Sequence, residues 1–159
     1  MRRKDREITA LDQIVDVIDT CPIVHIGLAD GDYPYIVPVN FAYEGKDGQI
    51  NLYIHSAKAG RKFELMQKNG KCSFEMEVFG GVISTPEKGN TTLYSSVMGE
   101  AEIEFLEDED AFDCARRIMA RYDATRNASF KDALVPHTCF ARLKVTQIAA
   151  KANKAPDHA

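Results

Sequence analysis

The chain has 159 residues, 45% apolar and 28% charged, with a formal net charge of −4. That is the length of one domain with enough apolar surface for a core. Its net acidity argues against nucleic acid as the main partner, which calls for a basic face. No run of about eighteen apolar residues occurs, so no membrane span is expected.

The charged start Met1-Arg-Arg-Lys-Asp-Arg-Glu7 is followed by no apolar secretion segment, so a cytoplasmic protein is expected. The pattern Leu11, Ile14, Val15, Ile18 has helical spacing and predicts a helix over 9–19, capped by Thr9 and ended by Cys21-Pro22. Ile23 to Leu28 is rich in β-branched residues and reads as a strand. A turn at 29–32 leads to a second strand over 33–43, so the two form a hairpin. Proline donates no hydrogen bond to a sheet ladder. Pro38 is therefore expected to interrupt that strand and leave backbone groups around Val37, Val39 and Asn40 for another partner.

A turn at 44–48 precedes a strand over 50–55 and a helix from about 59 to 69. A strand over 71–79, a loop over 80–92 and a long strand over 93–105 follow, with Gly99 as a candidate bulge. Next is a helix over 107–122 with Phe112, Ala115 and Met119 as its apolar side, a connection over 123–136, and a last strand over 138–149. Residues 1–150 are expected to form the single domain and 151–159 a tail. Six strands and three helices, without alternating βα units, predict a mainly β fold: an antiparallel β-barrel with flanking helices.

Cys21, Cys72, Cys114 and Cys139 show no metal or disulfide spacing and read as buried, reduced thiols. His25 lies in an apolar strand and reads as a core histidine. The acidic run from Glu102 to Asp110 reads as a solvated strand face and helix start. No G-x-G-x-x-G or P-loop spacing is present.

The unusual segment is Leu52-Tyr-Ile-His-Ser-Ala-Lys-Ala-Gly-Arg-Lys62. A helix N-terminus carries partial positive charge and favours acidic residues. Here His55, Ser56, Lys58, Arg61 and Lys62 gather at one. Lys58, Arg61 and Lys62 are spaced i, i+3, i+4, which is one face of a helix. A solvated basic face is the plain reading. An anion held by the cations and free N–H groups, above all a phosphate, is the specific one.

That segment, with Met1 to Glu7, Pro34-Tyr-Ile-Val-Pro-Val-Asn-Phe41 and Tyr94-Ser-Ser-Val-Met-Gly-Glu-Ala101, resembles the pyridoxamine 5′-phosphate oxidase-like, FMN-binding split-barrel superfamily. It is more closely similar to the nitroimidazole-resistance branch. The resemblance implies a six-stranded antiparallel split barrel acting as a homodimer, with FMN in clefts at the interface. Pro38, Val39 and Asn40 would bond the ring edge, His55, Ser56, Lys58, Arg61 and Lys62 would surround the phosphate, and Ser95 and Ser96 would flank the ring or come from the other subunit. The chain ends in Ala141-Arg-Leu-Lys-Val-Thr-Gln-Ile-Ala-Ala-Lys151 and holds no Trp. It thus departs from the terminal Trp, Arg and His motif that grips the vitamin in true pyridoxamine phosphate oxidases.

The expected activity is therefore flavin-dependent reduction of a small acceptor such as a nitroaromatic, with a nicotinamide donor and His55 as the residue that could act in catalysis. FAD in place of FMN, a deazaflavin reductase, and a non-enzymatic flavin- or haem-binding sensor stay open as alternatives. No metal site, nucleic-acid partner or membrane partner is expected.

Overall fold

A computed structural model describes residues 3–85, 89–122 and 137–153. After a short 3-10 turn, Lys4–Arg6, the elements in chain order are β1 (Glu7–Ile8), α1 (Leu11–Thr20), β2 (Val24–Leu28), β3 (Tyr35–Val39), β4 (Phe41–Lys46), β5 (Gln49–Ala57), α2 (Arg61–Asn69), β6 (Lys71–Thr85), β7 (Gly89–Leu106), α3 (Asp108–Tyr122) and β8 (Thr138–Asn153). The fold is mainly antiparallel β with three flanking helices, as the alternation of apolar residues predicts. The strands number eight rather than six: β1 is an added two-residue strand, and the predicted strand over 33–43 is split in two.

The split defines the architecture. The sheet runs β3-β2-β6-β7-β8-β5-β4, with β1 paired to β8. Its two edge strands, β3 and β4, are consecutive in the chain and separated by Asn40 alone. One nearly continuous strand thus pairs with β2 through its first half and with β5 through its second, so the sheet must curl round on itself. The break falls at Asn40, not at Pro38. Pro38 stays inside β3 opposite His25, tolerated because β3 is an edge strand.

The curled sheet wraps a core in which β2 contributes Val24, Ile26 and Leu28, β5 contributes Ile50, Leu52 and Ile54, and β6 contributes Phe74 and Met76. Each strand alternates, so every second residue faces out. Ile14, Val17 and Ile18 of α1 and Leu65 and Met66 of α2 pack into the same core. Burying each such side chain is worth roughly 1.5–3 kcal/mol.

Several local expectations are corrected. Ala10, not Thr9, precedes α1 and gives no side-chain cap. The predicted loop over 80–92 is instead a continuation of the β6–β7 ladder on both sides of residues 86–88, past an irregularity at Phe79/Gly81. The buried side of α3 is Ala111, Cys114, Ala115 and Ile118, while Phe112 is 38% exposed. Small residues let this helix lie close against Ala42, Tyr53 and Phe140 on the outside of the sheet. β8 runs to Asn153, whose amide donates to Thr91 Oγ1 and to the Thr92 carbonyl. The last strand therefore runs four residues past its expected end at residue 149. The predicted connection over 123–136 and residues 154–159 of the predicted tail lie outside the described residues.

Gly99 is held by contact. The register shift lies beside it, at Glu100/Ala101. A Cβ at Gly99 would collide with the Gln147 carbonyl oxygen and sit 2.7 Å from Phe74 Cζ. All four cysteines are free and buried. No described helix is long and apolar enough to cross a membrane.

Candidate functional site

The basic segment forms the junction between the end of β5 and the start of α2. The helix begins at Arg61, two residues later than expected. Gly60 precedes it at φ 88°, ψ 169° and provides no side-chain cap. A positive φ is the conformation that glycine adopts without steric penalty. The leading N–H groups of α2 therefore have no side chain to satisfy them. Glu64 in the first turn is the single acidic residue against the cations gathered there.

Lys58 lies before the helix, so the expected helical face shared by Lys58, Arg61 and Lys62 does not exist. The N–H of Lys58 instead donates to the His137 carbonyl at 3.1 Å. Lys58 and Lys62 nevertheless both act on one group of β8, the Cys139 thiol. Burial pushes the Cys139 thiol up to about 11, while the charges of Lys58 and Lys62 both pull it down. Burial also lowers the pKa of the Lys62 amine. Among the described residues, neither lysine has a carboxylate within ion-pair distance.

Arg61 behaves differently. Its Nε and Nη2 reach one oxygen of Asp30, at 2.6 and 2.5 Å. Asn69 at the far end of α2 donates to the Ala29 carbonyl at 2.8 Å. Both contacts tie the helix to the β2–β3 turn.

His55 lies on the outer face of β5, one step beyond the Phe41–Ile54 pair of the β4–β5 ladder. Asn40, exposed at the split, immediately precedes Phe41, the residue paired with Ile54. Burial first, and then the charge of Lys62, lower the pKa of the His55 imidazole. Ser56 faces inward: it is 6% exposed and its hydroxyl donates to the Ala57 carbonyl at 3.1 Å. Val39 is buried in the core, and Pro38 faces out.

Ser95 and Ser96 are not brought to this junction. His55 is level with Phe140, and Phe140 with Leu106 on β7. Ser96 lies ten residues further along β7, roughly 30 Å of extended strand at about 3.3 Å per residue. Ser96 is buried, and its Oγ has no hydrogen-bond partner.

Two features escaped the sequence. The first is a latch at the end of α3. Arg121 donates to the carbonyls of Ile18, Asp19 and Cys21 at 2.9–3.1 Å and to the Asp19 carboxylate at 3.2 Å. Its guanidinium lies 4.5 Å from the ring centre of Phe41 and 5.1 Å from that of Tyr43. The Tyr122 hydroxyl accepts from the Phe41 N–H and donates to the Pro22 carbonyl. Arg121 and Tyr122, with Asp19, Cys21, Pro22 and Tyr43, line a cleft of about 680 Å³. An arginine in a last helical turn is usual; no sequence pattern reveals that this one serves the end of α1.

The second feature is His25, which is not a core residue. It faces outward with 41% of its side chain exposed, 3.5 Å from Glu75. Burial, and then the neighbouring carboxylate of Glu77, push the Glu75 carboxyl up to about 7.

Residues 11–152 match the model of the family described as pyridoxamine 5′-phosphate oxidase. The chain belongs to this family. Among solved structures, one named for 5-nitroimidazole antibiotic resistance, from Bacteroides thetaiotaomicron, is similar over 93% of this chain and 90% of its own, with 25% identity and a TM-score of 0.80. A FAD and haem binding protein from Mycobacterium smegmatis is similar over 97% of this chain and 77% of its own, with 17% identity and a TM-score of 0.78. A flavocytochrome from Azotobacter vinelandii is similar over 98% and 73%, with 18% identity and a TM-score of 0.77. The last two establish the shared fold; the first also supports the nitroimidazole-resistance branch. No curated protein matches.

Proposed function

We propose that the chain is a flavin-dependent oxidoreductase, acting as a homodimer that uses FMN to reduce a small acceptor such as a nitroaromatic. One observation carries this reading: Lys58 and Lys62 both act on the Cys139 thiol beside the uncapped start of α2, and among the described residues neither has a carboxylate partner. A partly buried cation with no counter-charge is costly. A phosphate group supplies the charge and accepts the free helical N–H groups. The donor set at this junction therefore fits the phosphate of FMN. Family membership supports the choice of a flavin, and the neighbours named for FAD, haem and nitroimidazole resistance point the same way.

In this reading Lys58 and Lys62 hold the phosphate, with Arg61 joining if it leaves Asp30. Asn40, in neither β3 nor β4, offers its amide to the ring edge, and Pro38 and Val39 lend the outer backbone row of an edge strand. Bound FMN supplies the transfer of electrons from a nicotinamide donor to the acceptor. His55 is neutral near pH 7 because its pKa is lowered, so it can accept or relay a proton at a substrate placed over Asn40. Ser95 and Ser96 lie too far along β7 to serve this junction in one protomer; a partner protomer would bring that segment to it. FAD suits the same phosphate site, since its adenine half can extend into solvent.

The test is to load the purified chain with FMN, record its visible spectrum, and then identify the released ligand by mass. Bound FMN that NADH or NADPH bleaches without oxygen is the expected result. A chain that takes up no FMN overturns the reading. A Soret band without flavin indicates haem, and a deazaflavin mass indicates the other reductase class.

A further inference from the structure

The outer face of the sheet carries a set of groups that the flavin reading does not use. β2 and β6 pair so that His25 stands directly opposite Glu75. Glu77 is two residues further along β6 and so projects from the same face. One ligand atom from each of the three lies within 4.8 Å of the others. His25 Nδ1 is shielded from solvent and has no hydrogen-bond partner.

Its separation from Glu75 Oε2 is 3.5 Å. Two ligands at tetrahedral vertices around a zinc ion, with bonds of about 2.1 Å, stand roughly 3.4 Å apart. The His25–Glu75 pair already has that spacing, and the carboxylate of the exposed Glu77 lies within 4.8 Å of both.

A second, independent observation comes from the next strand. Ser96 of β7 is paired with Glu77 and shares its face. Its side chain is 7% exposed, yet its Oγ has no partner. A buried hydroxyl left unpaired is costly, and native proteins rarely leave one so. Among the described residues, no lysine or arginine forms an ion pair with Glu75 or Glu77. An imidazole and two carboxylates without a neutralising cation, next to an orphan hydroxyl, form an incomplete coordination shell.

We propose that His25, Glu75 and Glu77 bind one divalent first-row transition ion, with the Ser96 hydroxyl bonded to the ion or to a water that it holds. The ligand set decides the class. Nitrogen with carboxylate oxygen suits Zn²⁺ or Mn²⁺, whereas Mg²⁺ and Ca²⁺ prefer oxygen alone. With three protein ligands, the shell keeps a position open. His25, Glu75 and Glu77 are distinct from the cation junction, whereas Ser96 belongs to the segment that the flavin reading brings to the partner's junction.

The test uses the full chain, stripped with chelator and titrated with Zn²⁺ by calorimetry, with and without FMN. A single equivalent, bound without FMN with a dissociation constant on the order of 10 µM or tighter, is expected. His25→Gln and Glu77→Gln should each weaken binding at least roughly 100-fold, more than the loss of an outer-shell partner costs. Glu77 is exposed, so E77Q keeps the fold, which circular dichroism checks. Co²⁺ should give a d–d absorption band without a thiolate charge-transfer band. No stoichiometric binding, binding that survives E77Q, or a thiolate band pointing to the cysteines each overturns the proposal.

Discussion

Arg121 and Lys62 are both cations near a helix terminus, and they differ in what surrounds them. Arg121 sits in the last turn of α3, where its guanidinium meets three backbone carbonyls, the Asp19 carboxylate and two aromatic faces. Every direction from it is answered by the protein's own groups. Lys62 sits in the first turn of α2, where the helix dipole opposes it, its amine is partly buried and, among the described residues, no carboxylate pairs with it. A cation that is fully answered holds a fold together. One that the fold leaves unanswered is available to a ligand. Arg61 lies between these extremes, exposed but held by Asp30.

The sharpest way to break the comparison is Arg121→Ala. It strips the carbonyls at the end of α1 of their donors and uncovers Phe41 and Tyr43. A loss of about 3 kcal/mol is expected, read as a lower denaturant midpoint, while the molecules still folded bind FMN with little change. Equal stability of the variant would mean that the latch is ornamental. Lys62→Ala is the complementary case. FMN affinity should fall at least tenfold, about 1.4 kcal/mol, in a fluorescence-quenching titration. Stability should stay within about 0.5 kcal/mol, because the removed charge was not paired.

Asp30→Asn then tests the intermediate case. Releasing Arg61 removes an exposed ion pair worth roughly 0–1 kcal/mol. It should tighten FMN binding a few-fold, and weaker binding would show that Asp30 positions Arg61 for the ligand.

The smallest effect is in the pH profile. His55 has a folded pKa below its ordinary 6.5, so the unfolded chain takes up the proton first as pH falls. Its contribution to stability is complete above pH 6.5 and is lost as pH drops from there through the depressed value. His55→Gln should flatten that stretch of the stability profile, measured by melting at a series of pH values. An unchanged slope would assign the acid loss to other groups.

Much of this was legible in the sequence. The strands announced themselves through β-branched content at Ile23 to Leu28 and through alternation from Thr138 to Ala149, and the cation-rich start of α2 stood out against the helix dipole. Asn40 was singled out for its place beside Pro38, and in the structure it is the residue at which the strand splits. The errors share a cause. Pro38 was expected to break its strand because proline donates no hydrogen bond, but an edge strand does not ask for that bond. Phe112 was assigned to the core by its hydrophobicity, but only small residues let α3 lie close to the sheet. His25 was assigned to the interior by its apolar neighbours, although period-two alternation put it outside.

The sequence by itself determined the local pieces: which segments extend, which coil, where the turns fall and where positive charge collects. These follow from propensity and periodicity, which act over a few residues. The tertiary structure alone decided which cations find partners, that the sheet splits at Asn40, that Ser95 and Ser96 lie far from His55, and that His25, Glu75 and Glu77 meet. Those outcomes depend on register between strands distant in sequence, where a slip of one residue would turn every side chain to the opposite face.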